Sequence, residues 1–275
     1  MRRCGFGVLL AVCLGMTGCV SSWWGARDPQ MVAHRGAGDL TMPEASLPAY
    51  SNAVACAMDI VKLDLQKTKD GVIVMSHDPT LARLMGWPVA FKDVTYAEIL
   101  ERGRFLDKRK KPTDLTIVRL EEALAIVKTL PEFWIDFKHF DPDFAERVLA
   151  EFDKAGIAQS RIMVATFSVP ALKYFQERHP LIRRVGHIGR QKGEDLYAYC
   201  EELGLWGVNM PVLQRQTTRE DIRELKKRGL WVSLWFVQNR KMEELYRGAG
   251  MDAYVTDFVS RVRLANLDAE KGGRP

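Results

Sequence analysis

Eight short apolar segments begin near residues 31, 60, 133, 161, 182, 206, 230 and 252, and each is followed by a helical stretch or a short closing segment. That alternation restricts the fold more than any other feature. Repeated strand–helix units make the strands parallel, and parallel strands need both faces covered. Eight such units predict an α/β fold, a closed (β/α)8 TIM barrel. The competing architecture is an open doubly wound sheet. A dinucleotide fingerprint would favour it, but Gly36-Ala37-Gly38 lacks the third glycine and the acidic residue that should follow. The helices carry ordinary signals. Ser46 is a good N-cap with Pro48 in the first turn, and Leu47, Tyr50, Val54 and Met58 recur at helical spacing. Gly156, Gly204 and Gly229 close later helices.

One stretch departs from the alternation. Within 59–78, two β-like runs, 60–65 and 72–75, flank Thr68-Lys69-Asp70-Gly71. Asp-Gly between such runs signals a hairpin, and the connection is too short for a parallel crossover. The second strand therefore carries a β-hairpin excursion that returns to His77-Asp78. Residues 79–116 then read as a small irregular insertion, with a basic run at 108–111. That run is most simply a solvated face. On a membrane-tethered protein it would also suit anionic headgroups.

The chain has 275 residues, 47% hydrophobic and 27% charged, which fits one globular barrel. A net charge of +5 is a mild excess, and no nucleic-acid motif accompanies it, so no nucleic-acid partner is expected. The five cysteines form no Cys-x-x-Cys pair, and Cys56 and Cys200 lie in helix-like apolar patterns as buried thiols. Residues 1–18 read as an export signal: Arg2-Arg3, an apolar core at 8–16, then Thr17-Gly18 before Cys19. Gly18-Cys19 resembles a bacterial lipoprotein cleavage box, which makes Cys19 the lipidated residue. A plain cleaved signal or an uncleaved anchor is the competing reading, although the apolar run is short for a membrane-crossing helix. Residues 19–30 then form a tether, in which Trp23-Trp24 suit a lipid interface, 31–265 the barrel, and 266–275 a polar tail. Val20 after Cys19 is not the aspartate of inner-membrane retention, so the expected address is the periplasmic or outer-membrane face. The sequence gives no oligomeric state.

Barrel active sites lie at the C-terminal ends of the strands. Polar residues gather there. The first strand ends in His34-Arg35, and the next loop carries Glu44. Strand alternation puts Lys62 and Asp64 on one face and Val61, Leu63 and Leu65 on the other. The hairpin returns His77. The third barrel strand puts Trp134, Asp136 and Lys138 on one face. A lone Lys-x-Asp is usually a solvated strand face, but several such clusters at strand ends point to a site. Phosphodiester cleavage fits them. Arg35 can grip phosphate with its planar fork. Two imidazoles can act as base and acid near neutral pH. Carboxylates can hold a hard cation against phosphate. His139 and His187 take blander readings, as a loop residue and a structural strand residue, and His179 suits a helix C-terminus.

His34-Arg35-Gly36, Pro43-Glu44, Leu63-Asp64, Thr68-Lys69-Asp70-Gly71, His77-Asp78, Leu120-Glu121-Glu122, Ile135-Asp136-Phe137-Lys138, Thr166-Phe167, Trp235-Phe236-Val237 and Thr256-Asp257 together resemble the glycerophosphodiester phosphodiesterases. The resemblance covers nearly the whole mature chain. It implies a (β/α)8 barrel with a hairpin. It implies His34 and His77 as the acid/base pair, with Arg35 and Lys138 near phosphate and Trp235 towards the substrate mouth. It also implies Glu44, Asp64 and Asp136 as carboxylates at a divalent cation, Mg2+ or Ca2+. The implied substrate is a small glycerophosphodiester, converted with water into glycerol 3-phosphate and an alcohol. A neighbouring glycerol hydroxyl can attack first, through a transient cyclic phosphate. The chain departs from the pattern at four places. Lys62 stands where a metal-binding Glu is expected, a change of two charge units. Ala45-Ser46 replaces Asn-Thr, Asp136 is one methylene shorter than the usual Glu, and Gln238 stands for Asn. Three outcomes follow from Lys62: a hydrolase in which the lysine supplies the positive charge, an ordinary metal enzyme with Lys62 turned to phosphate, or a headgroup-binding lipoprotein without catalysis.

Overall fold

The structure is a computed structural model that describes residues 28–36, 42–107, 109–189, 193–212 and 217–257. The leader, Cys19, the tether and the C-terminal tail lie outside the described residues. In chain order the strands are β1 (Gln30–Ala33), β2 (Ile60–Lys67), β3 (Ile73–Met75), β4 (Glu132–Phe137), β5 (Ile162–Thr166), β6 (Arg183–His187), β7 (Gly207–Pro211), β8 (Trp231–Trp235) and β9 (Ala253–Thr256). All but β3 run parallel in the order β1-β9-β8-β7-β6-β5-β4-β2, and β1 also pairs with β2. That last pairing closes eight strands into the barrel expected from the alternation. β3 is the hairpin arm. It runs antiparallel to β2 with Leu65 opposite Met75, and Gly71 (φ 81°) takes the left-handed position in the turn.

The helices are α1 (Leu47–Ala55), α2 (Ala82–Met85), α3 (Tyr96–Arg102), α4 (Leu120–Val127), α5 (Pro142–Lys154), α6 (Val169–Arg178), α7 (Gly193–Glu202), α8 (Arg219–Lys227) and α9 (Arg240–Arg247). Helix α5 shows why such segments fold. Asp141 caps it, accepting from Phe144 N at 2.8 Å, and Pro142 sits where no N–H is missed. Phe144, Ala145, Val148, Leu149 and Phe152 make one buried stripe, which packs on the outer face of the sheet with Phe133, Ile135 and Phe137. Inside the barrel a smaller apolar plug forms from Val32, Ile60, Trp134, Met163, Val185, Trp231 and Val255. The strands bury both faces, so β2 has no solvated side. Lys62 and Asp64 face inward, above the plug, while Val61, Leu63 and Leu65 join the outer core.

Residues 79–116 are not irregular, contrary to the sequence expectation. They hold α2 and α3 over a separate core that includes Val74, Leu81, Phe91, Ile99, Phe105 and Ile117. Helix α2 has only four residues, too few for a periodic pattern. Helix α3 has a reciprocal capping box, Thr95 with Glu98. Of the basic run, Lys108 lies outside the described residues, and Arg109, Lys110 and Lys111 are exposed. No helix among the described residues is long and apolar enough to cross a membrane.

Candidate active site

The strand ends surround a cavity of about 120 Å3 at the C-terminal mouth of the barrel. His34, Arg35, Lys62, His77, Asp136 and Lys138 line it from the first four strands and the turns that follow them. Phe167, His187, Asn209, Trp235 and Phe236 line it from the others. All the catalytic and substrate-contact residues expected from sequence therefore meet in one place.

Beside that wall lies a four-membered ion cluster. Asp64 and Asp136 stand abreast in the register of β2 and β4. On β2 the lysine precedes the aspartate by two residues, and on β4 it follows by two. Alternation puts all four on the inner face. Lys62 thus reaches the two carboxylates from below and Lys138 from above. Lys62 Nζ bonds Asp64 and lies 2.8 Å from Asp136 Oδ2, while Lys138 Nζ lies 2.8 Å from Asp64 and 2.7 Å from Asp136. Burial alone pushes both carboxyls up, but Lys62 outweighs it, helped by Lys138 at Asp64 and by His187 and then Lys138 at Asp136, and both are held well below the usual carboxylate range. Burial likewise lowers Lys138, and Asp64 and Asp136 outweigh it, so its ammonium is held charged.

His34 sits at the end of β1 with Nδ1 on Asp257, just past β9, and its ring 4.6 Å from that of Phe236. The carboxylate accepts a hydrogen bond from the Nδ1–H, leaving Nε2 for other partners. Burial lowers the His34 pKa, and the Asp257 bond offsets part of that. His77 holds Asp78 through Nδ1 at 2.8 Å, and burial with Lys138 nearby lowers its pKa too. Both imidazoles are therefore mainly neutral at pH 7. Arg35 Nη1 reaches both oxygens of Glu44 at 2.8 and 2.9 Å. Arg83 of α2 takes the same carboxylate at 2.5 and 3.0 Å and holds Asp78. The chain passes from Arg35 into Gly36 in a tight left-handed turn (φ 82°), where a Cβ would lie 2.8 Å from the Tyr50 ring. That glycine is required for the His-Arg pair to reach the cavity.

The donor set as placed does not fit a divalent cation. Two ammonium groups occupy Asp64 and Asp136, and two guanidiniums occupy Glu44. Among the described residues no group of three or more His, Cys, Asp or Glu is arranged to hold a metal, and Asp64 Oδ2 is a single free oxygen. The cavity wall itself carries three cationic side chains, Arg35, Lys62 and Lys138, against one carboxylate, Asp136. The remaining carboxylates stand behind that wall. Such a surface is electrostatically suited to an anion.

Two neighbours were not singled out from sequence as site residues. Asp257 orients His34, and its signal was the Thr256-Asp257 pair at the end of the last strand. Asn209 left no local signal. His187, read as structural, lines the cavity, bonded to Asn209 at 3.0 Å and stacked on Trp134. His139 is exposed, and His179 caps α6 against Glu146 at 2.7 Å, as its helix position suggested. Cys200 is buried, whereas Cys56 is only partly so.

Comparison with known proteins agrees with this geometry. The profile of the glycerophosphoryl diester phosphodiesterase family matches residues 34–261. A glycerophosphodiester phosphodiesterase of Bacillus subtilis is 28% identical over 227 residues, 76% of either chain. Its namesake from Bacillus altitudinis is 26% identical over 238 residues, covering 84% of this chain and 96% of that one. An Oleispira antarctica phosphodiesterase, solved with the product sn-glycerol-3-phosphate, shares the fold with a TM-score of 0.73 at 20% identity. That match covers 86% of this chain and 96% of the other.

Proposed function

Because the chain belongs to the glycerophosphoryl diester phosphodiesterase family, whose members are phosphoric diester hydrolases, we propose that it cleaves glycerophosphodiesters to glycerol 3-phosphate and an alcohol, with its own lysines in the role of the cation. The observation that carries this reading is the Lys62–Asp64–Asp136–Lys138 cluster. In the cavity, Arg35, Lys62 and Lys138 hold the phosphate's non-bridging oxygens and offset the charge that grows on them in the transition state. His34 and His77 divide the proton transfers. One imidazole takes a proton from the attacking oxygen, of water or of a neighbouring glyceryl hydroxyl, and the other gives one to the departing alcohol. Asp257 and Asp78 keep both rings in the tautomer that presents Nε2. Two neutral imidazoles suit the first transfer, and phosphate binding favours protonation of the second.

The leader and Cys19 support, on sequence alone, an exported protein held at the membrane by a lipid on that cysteine. We place it at the periplasmic or outer-membrane face on the same grounds. Its substrate would be a small diester reached from that face.

Release of glycerol 3-phosphate from glycerophosphocholine tests the reading, on the soluble form lacking residues 1–19. Activity is expected to survive EDTA and to fall about 10²- to 10⁴-fold in His34→Ala. Lys62→Glu restores an acidic donor set and is expected to make activity depend on added Mg2+ or Ca2+. Wild-type activity that disappears in EDTA and returns with metal would overturn the lysine role. Silence in wild type with metal-dependent activity in Lys62→Glu would indicate a binding protein built on a silenced enzyme.

A further inference from the structure

The insertion contributes one side chain to the machinery. Arg83 lies in α2 and holds carboxylates from two other segments. Its Nη1 and Nη2 take the two oxygens of Glu44, in the loop after β1, at 3.0 and 2.5 Å, and its Nε bonds Asp78 Oδ2, just past the hairpin arm. Each carboxylate also holds a residue of the cavity wall. Glu44 takes Arg35 Nη1 through both oxygens, and Asp78 Oδ1 lies 2.8 Å from His77 Nδ1. Arg35, Glu44, Arg83, Asp78 and His77 therefore form one continuous chain of charge-assisted hydrogen bonds. Its two ends, Arg35 and His77, line the cavity, and the three members between them stand behind it.

An ion pair as exposed as Arg83, 43% for its side chain, ordinarily adds little to stability. What sets it apart is geometry. The guanidinium is a rigid plane, so its three nitrogens fix the two carboxylates relative to one another, which the single point charge of a lysine cannot do. The main chain at Asp78 is already held, because its carbonyl accepts from Gln66 Nε2 at 3.0 Å and from Ser76 Oγ at 3.2 Å. What remains is rotation of the carboxylate, and Arg83 restrains it. His34 is braced twice, by Asp257 and by the Phe236 ring, whereas the orientation of His77 depends on Asp78. Arg83 itself is placed from outside the barrel. Its neighbours Leu81, Leu84 and Met85 are buried in the insertion core, and Leu106 N donates to Leu84 O at 2.7 Å.

We propose that Arg83 is a positioning residue of the hydrolysis, an insertion side chain that sets the His77 ring through Asp78 and ties it to the Arg35–Glu44 pair. The proposal rests on the hydrolase reading, in which His77 transfers a proton, and it gives the insertion a part in catalysis. Arg83 touches no reacting atom, so it should act on kcat more than on phosphate binding, where Glu44 keeps Arg35 in place.

Two measurements on the soluble form test this. The first is steady-state hydrolysis of glycerophosphocholine by wild type, Arg83→Met, Arg83→Lys, Asp78→Asn and the double variant Arg83→Met/Asp78→Asn. Arg83→Met should lower kcat about 10- to 10²-fold. KM and inhibition by inorganic phosphate should stay within about threefold. Arg83→Lys keeps the charge without the fork and should leave most of that loss in place. The double variant should be no slower than the slower single, because both changes break the same chain. The second measurement needs no turnover. Long-range 1H–15N spectra of the imidazoles, taken above the ordinary histidine pKa, report which ring nitrogen carries the proton. His77 should be the Nδ1–H tautomer in wild type and lose that preference in Arg83→Met, while His34 keeps its own. A kcat within about twofold of wild type in Arg83→Met would overturn the proposal. So would full recovery with lysine, losses that multiply in the double variant, or an unchanged His77 ring. A wild type that hydrolyses nothing would sink the hydrolase reading instead, and the ring spectra would still decide whether Arg83 sets His77.

Discussion

The two sides of the cavity are built on opposite terms. On the side of β1, β2 and β4, every charged group is answered by another: Lys62 and Lys138 by Asp64 and Asp136, Arg35 by Glu44, and His34 by Asp257. On the side of β6, β7 and β8, Asn209 Oδ1 and Trp235 Nε1 are buried without partners, among aromatic rings. The first side is assembled before any ligand arrives, and its geometry is held by ions that need one another. The second leaves those two polar atoms without partners. The difference teaches that substitutions should show their effects in different measurements. On the ionic side they should appear in stability and in all substrates alike. On the other side they should appear in the choice between substrates.

The ionic cluster is where the largest effect is expected. Lys62→Met keeps most of the side-chain volume but leaves two buried carboxylates to share Lys138, with only the His187 imidazole besides, 3.6 Å from Asp136. Removing one partner of a buried ion pair costs about 3–5 kcal/mol. The urea midpoint of Lys62→Met should fall accordingly. Asn209→Leu, equally buried across the cavity, removes a neutral amide, and a loss of about 1–2 kcal/mol is expected from the hydrogen bond to His187. Equal losses in the two variants would break the contrast. So would a Lys62→Met protein as stable as wild type.

A smaller effect separates orientation from charge at His34. The Asp257 carboxylate raises the His34 pKa against the lowering effect of burial. Asp257→Asn removes that support, so the His34 pKa falls further. If His34 must be neutral, the acid limb of the pH–rate profile moves to lower pH. If it must be protonated, the alkaline limb moves to lower pH. Either way the limb belonging to His34 shifts downward, and kcat is expected to drop about tenfold from the loosened ring. A drop in kcat with both limbs unmoved would mean that Asp257 only braces the last strand.

The same contrast explains what was legible in the sequence. Each ionic element is a local pattern: His34-Arg35, Lys62-x-Asp64, His77-Asp78 and Asp136-x-Lys138. Strand alternation puts the paired positions on one face, so convergence followed once the barrel was recognised. The eight strands were equally plain, because the outer helices require a periodic apolar stripe that shows in short windows. What the sequence hid is whatever depends on register between distant strands. Nothing near His187 announces Asn209, 22 residues on, and a single histidine in an apolar strand looks structural. Glu44 carries a related lesson: nothing in the sequence showed that Arg83, from an insertion helix too short to read, would share its carboxylate with Arg35. The fate of Lys62 was also open until its two partners were placed.

Phe167 gives the mildest and most selective test. It stands just past β5, 61% exposed, with its ring 4.9 Å from that of His187. An exposed ring contributes little to the fold, so Phe167→Ala should change the unfolding free energy measured in urea by less than about 0.5 kcal/mol. Its remaining work is contact with a bound organic arm, where losing part of an apolar surface costs about 1 kcal/mol or less at about 25 cal/mol per Å2. KM for glycerophosphocholine should therefore rise about two- to fivefold with kcat nearly unchanged, and inorganic phosphate should inhibit as before. An equal weakening of phosphate itself would show that the aromatic side also shapes the ionic one. In that case the two halves of the cavity would act as a single unit.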